Sequence, residues 1–108
     1  MNNSPEIFTS LVEKLNKDFS LEGNNLPVNS DFEILKKFFT EKVKELMSSN
    51  YDRFLNSLYR IDVDETKLTQ ILHSKDKTTI AEKLADLIIE RQLLRVKTQL
   101  LYKQSKNK

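Results

Sequence analysis

Apolar residues recur at three- and four-residue intervals along most of the chain, the spacing that gathers them on one side of an α-helix. The first run is Ile7, Phe8, Leu11, Val12, Leu15 and Phe19. Ser4 precedes it as N-cap and Pro5 takes the first helical position, where a missing N–H costs no hydrogen bond. A helix is expected from there to about residue 19. Residues 20–30, SLEGNNLPVNS, hold the only Gly, two adjacent Asn and the second Pro. They predict the one substantial loop, with Leu26 and Val28 turned under the bundle.

A second run carries Phe32, Ile34, Leu35, Phe38, Phe39, Val43, Leu46 and Met47, with Ser30 and Glu33 spaced as a capping box at its start. Ser48-Ser49-Asn50 interrupts it. Ser49 and Asp52 are then placed to cap a third helix carrying Tyr51, Phe54, Leu55, Leu58 and Tyr59. Asp62 and Glu65 repeat the box before a short helix with Leu68, Ile71 and Leu72 that ends near His73. After a polar turn at 74–78, Thr79 and Glu82 open a last helix that meets no Gly or Pro from about 80 to about 102. The expected fold is all-α: a single domain over residues 1–108, a small bundle of four or five helices with a long C-terminal helix, frayed at 1–3 and 104–108.

That last helix has more apolar residues than one face can hold. At 100° per residue, Ile80, Leu84, Leu87 and Ile88 gather on one side, whereas Ile89, Leu93, Val96 and Leu100 gather nearly opposite. The second group is spaced 4, 3 and 4, like the seam of a coiled coil, though over fewer than two heptads. Such a seam is covered either by a helix of the same chain or by a partner, and the simplest partner is a second copy across a two-fold axis.

Charge separates the same region from the rest. Residues 91–108 carry six cations and no acid, +6 against −4 for the remainder of a chain whose net charge is +2. Arg91, Arg95, Lys97, Lys103 and Lys106 could therefore contact the phosphates of a nucleic acid. They scatter around several faces, however, and only Tyr102 could offer a stacking surface among them. Cations are also favourable at a helix C-terminus, where the macrodipole is negative.

Composition narrows the chemistry. With 31% charged residues, one Gly and two Pro in 108 residues, the chain has the make-up of a helical globule with a modest core. It has no Cys, hence no disulfide or thiolate site, and no apolar run approaches the ~20 residues that cross a bilayer. No basic-then-apolar export signal opens it, so a cytoplasmic protein without membrane attachment is expected. His73 is the only histidine and lacks partners for a metal site or a catalytic triad; a place at a helix C-terminus suits it better. Asp62, Asp64 and Glu65 lack the remaining positions of a calcium loop, and Glu41 and Glu45 are flanked by Lys37, Lys42 and Lys44. Gly23 stands alone, with no phosphate-binding loop around it. No enzyme, metal or cofactor is expected.

Leu58–Glu65, "LYRIDVDE", and Leu84–Gln99, "LADLIIERQLLRVKTQ", resemble the C-terminal half of a family of small uncharacterised bacterial all-helical proteins. In that family a Tyr-Arg-hydrophobic-Asp segment precedes a short helix and then a Leu-Ile-rich helix ending in Glu-Arg and basic residues. The resemblance implies a helical protein of the bacterial cytoplasm and brings no activity with it. Tyr59 and Arg60 could tie the third helix to the bundle through Asp62, Asp64 or Glu90, or could join Glu90 and Arg91 in recognising a partner. The functional expectation is a non-enzymatic protein-interaction module that forms a homodimer or joins another protein through Ile89, Leu93, Val96 and Leu100, with nucleic-acid binding through the basic positions as the alternative.

Overall fold

The computed structural model describes the backbone of residues 5–19, 21 and 31–106, with side chains described over 6–19, 21 and 31–103. Five α-helices account for nearly all of it: α1 (Pro5–Asp18), α2 (Phe32–Ser49), α3 (Tyr51–Arg60), α4 (Glu65–Leu72) and α5 (Ile80–Lys106), with a single 3₁₀ turn at Lys77–Thr79. No strand occurs among the described residues. The fold is all-α, and none of its described helices is long and apolar enough to cross a membrane. Ser4, the terminal residues 1–3 and the predicted tuck of Leu26 and Val28 lie outside the described residues. α5 is longer than its apolar pattern suggests, because Gln104, Ser105 and Lys106 contain no helix breaker and the backbone continues through them.

At the starts of α2, α3 and α4 and of the 3₁₀ turn before α5, a short side chain accepts a backbone N–H. Ser30 lies outside the described residues; Asp31 is the N-cap of α2, its Oδ1 accepting from the N–H of Ile34 at 2.9 Å. Asn50, not Ser49, divides α2 from α3. Its extended backbone breaks the helix for one residue, its N–H donates to the Leu46 carbonyl, and its Oδ1 accepts from the N–H of Arg53. Ser49 remains helical and donates its hydroxyl to the Glu45 carbonyl.

Asp64, not Asp62, caps α4, accepting from the N–H of Lys67 at 3.1 Å. Asp76 replaces the Thr79 box, accepting from both the N–H and the hydroxyl of Thr78, while Thr79 gives its hydroxyl to the Asp76 carbonyl.

Asp62 has another task. Its φ of +62° places it in the left-handed region, where α3 terminates. The N–H of Asp62 donates to the Tyr59 carbonyl at 3.1 Å, and that of Val63 reaches back to Leu58 at 3.5 Å. This is a Schellman ending with Asp where Gly is usual, closed by contact between the buried Leu58 and Val63 side chains. The chain thereby turns sharply enough to lay α4 along α5.

α5 is the axis of the bundle, with α1, α2 and α4 packed along it. Leu11, Val12 and Leu15 of α1, Leu35, Phe39 and Val43 of α2, Leu58 of α3, and Leu84 and Ile88 of α5 are all fully shielded from solvent. Burial of each such side chain stabilises the fold by about 1.5–3 kcal/mol. Phe19 locks the end of α1 over this core, its ring edge-on to Phe39 at 5.6 Å and tilted against Phe54 at 6.0 Å.

Candidate interaction surface

Three side chains in the second half of α5 make directional contacts with the rest of the chain. Arg91 donates Nε to the carbonyl of Ile61 at 3.0 Å and holds a guanidinium nitrogen 3.7 Å from Asp62. It grips the Schellman turn from outside. Gln92, with 0% of its surface exposed, donates Nε2 to Asp18 at the C-terminal end of α1, and its Oε1 accepts from Arg95 at 3.1 Å. Arg95 in turn lies 4.0 Å from the Asp18 carboxylate. A buried amide with both ends satisfied fixes how α5 is rotated against α1.

The residues expected to link α3 to the bundle do not do so. Arg60 donates to Ser57 within its own helix, and Tyr59 is exposed. Arg91 takes the role given to Arg60, because the left-handed turn carries Asp62 toward α5. Glu90 pairs loosely with Lys67, at 3.9 Å. His73 is the C-cap of α4, its Nδ1 2.9 Å from the Thr69 carbonyl, which requires the proton on Nδ1 because a carbonyl can only accept. Among the described residues no group of acidic and imidazole side chains is arranged to hold a metal ion.

Of the four seam positions, Val96 is only 2% exposed, Ile89 and Leu93 are half-buried and packed against the core, and Leu100 is half-buried. The chain itself covers most of that seam. The leucines left in solvent are their neighbours, Leu94 at 56% and Leu101 at 66% exposed. These two lie seven residues apart, hence on one line along the helix, and continue the row that Ile80 and Leu87 begin inside the bundle.

The basic positions separate in the same way. Arg91 and Arg95 are drawn into contacts with Asp62 and Asp18, while Lys97 stands about 120° from Lys103 around the helix by their spacing. The side chain of Lys106 lies outside the described residues.

Beside the exposed leucines, the first turn of α4 and the middle of α5 enclose an open hollow of about 490 Å³. Leu87, Leu93 and Leu94 form its apolar lining, rimmed by the acids Asp62, Asp64 and Glu90 and the cations Lys67, Arg91 and Lys97. No protein-family model, curated protein or solved structure matches this chain.

Proposed function

We propose that this chain is a non-enzymatic protein-interaction module that associates through the outward face of the second half of α5. The observation that supports this reading is the exposure of Leu94 and Leu101 in one line, flanked by the half-buried Leu93 and Leu100. Single exposed leucines are ordinary on a protein surface; two aligned on a helix, beside an apolar hollow, form the kind of face that association buries. The arginines nearby are engaged within the chain, so the polar groups around this face are already oriented and an incoming apolar surface displaces water from leucine. Self-association is the form that the face supports best.

Light scattering on a sizing column across a range of protein concentration tests this directly. A mass of two chains that reverts to one on Leu94→Glu, with the helical circular-dichroism spectrum retained, is the expected outcome. A single-chain mass at every concentration would refute self-association, and loss of helicity in Leu94→Glu would return that face to the intrachain core.

A further inference from the structure

We infer that the partner is a second copy of this chain, and that the two α5 helices cross antiparallel about a two-fold axis at Leu94, with Glu90 of each copy facing Lys97 of the other. This rests on the self-association proposed above and adds the direction and the register of pairing. Its first support is the row Ile80, Leu87, Leu94 and Leu101, whose exposure rises from 8% and 7% within the bundle to 56% and 66% beyond it. A row spaced by sevens reads alike in both directions. Rotating it by two-fold symmetry about Leu94 sets Leu94 on its own image and brings Leu101 of the second copy to the level of Leu87. At that level lies the hollow of about 490 Å³, lined by Leu87, Leu93 and Leu94. The exposed leucine of one copy thus meets the leucines of a hollow in the other, with charged side chains of both signs at its rim.

The second support is the sign of the charges. Glu90 and Lys97 lie close to one line along α5, and the midpoint between them falls half a residue from Leu94, which selects Leu94 among the centres the leucine row allows. An antiparallel pair at this centre places Glu90 opposite Lys97 twice. A parallel pair in register would instead oppose Glu90 to Glu90 and Lys97 to Lys97, and like charges directly opposed are unfavourable. The same reversal lays the acid-free segment 91–103 of each copy over residues 85–97 of the other, which carry Asp86 and Glu90. The existing contact of Glu90 with Lys67 is a 3.9 Å pair between exposed groups and competes weakly. Of the centres about which the leucine row is symmetric, Leu94 is the one the charges share, and a common centre of symmetry is what a second copy requires.

The chain contains no Cys, so single substitutions report pairing without interference. L94C and L101C are prepared separately in the full chain, oxidised gently at the concentration where light scattering gives two chains, and resolved without reductant. L94C should link to itself, since a disulfide needs Cα atoms within about 7 Å. L101C should not, because two positions each seven residues from the axis stand ~21 Å apart. As an independent measurement, E90K and K97E should each weaken association roughly tenfold, and the E90K/K97E double variant should restore it.

A dimer in which L101C links would overturn the antiparallel register. So would a dimer in which neither links, or one whose double variant stays as weak as the singles; in these cases self-association itself stands. A single-chain mass at all concentrations would remove both conclusions together.

Discussion

Along residues 80–90, α5 turns Ile80, Ala81, Leu84, Ala85, Leu87 and Ile88 inward, whereas along 91–103 only Gln92 and Val96 are buried. Both stretches are rich in leucine and belong to one unbroken helix. What differs is how each is held. The first half is fixed by apolar burial, which has no preferred direction and tolerates exchange of similar side chains. The second is fixed by Arg91 on the Ile61 carbonyl and by Gln92 on Asp18, contacts that set rotation and register while leaving leucines outside. Hydrophobicity alone therefore does not tell which leucines a helix buries; the polar contacts decide which way it faces.

The contrast is most exposed to failure in a pair of truncations. Leu84→Ala should lower unfolding free energy by about 2–5 kcal/mol, since its site is fully enclosed. Leu94→Ala should change it by no more than about 0.5 kcal/mol. Urea unfolding below the concentration of association measures both, and equal losses would erase the distinction between the halves.

A smaller effect separates polar fixing from apolar burial. Asp18→Ala strands the Gln92 amide in a site with no access to water and should cost about 1–3 kcal/mol. The double variant Asp18→Ala, Gln92→Leu should recover most of that loss in the same unfolding measurement, because the buried amide is gone and Arg95, which loses both partners, is a third exposed and can turn to water. If the double variant is instead weaker than the single, the amide contributes more than its own satisfaction.

The smallest effect is at the N-terminal boundary of α5. The hydroxyl of Thr78, then its N–H, hold the Asp76 carboxylate below its ordinary value of 3.8. A depressed folded value means that the stabilising contribution is fully present above the ordinary value and is lost as pH falls through the depressed one. The group is fully exposed, so the change should appear locally. An NMR titration of the Asp76 carboxyl should give a midpoint below 3.8, moved part of the way back by Thr78→Val, which keeps the backbone N–H; a midpoint at or above 3.8 would mean that this turn does not hold the carboxylate.

The sequence carries the helices well and their caps poorly. Periodicity marks α1 through α5 because each must bury one stripe, and that stripe is local information. Three cap regions, by contrast, contain two capable residues each: Ser49 beside Asn50, Asp62 near Asp64, Asp76 before Thr79. Only the backbone path decides between them. The Schellman turn at Asp62 hides because its usual signal is Gly, and with it hides the reason that Arg91 reaches Ile61. Gln92 and Asp18 carry no local sign of pairing at all. The surface follows the same rule: the excess of apolar positions on α5 is visible in the sequence, while the choice of Leu94 and Leu101 over Val96 depends on contacts from distant segments.

One such contact also imposes an order in time. Asp18 and Gln92 are separated by 74 residues, so at synthesis rates of about 5–20 residues per second the first helix waits roughly 4–15 s before its partner on the last one exists. Through that interval Leu11, Val12 and Leu15 have no α5 to lie against. An emerging chain of this design is, for those seconds, a client for whatever shields nascent apolar helices.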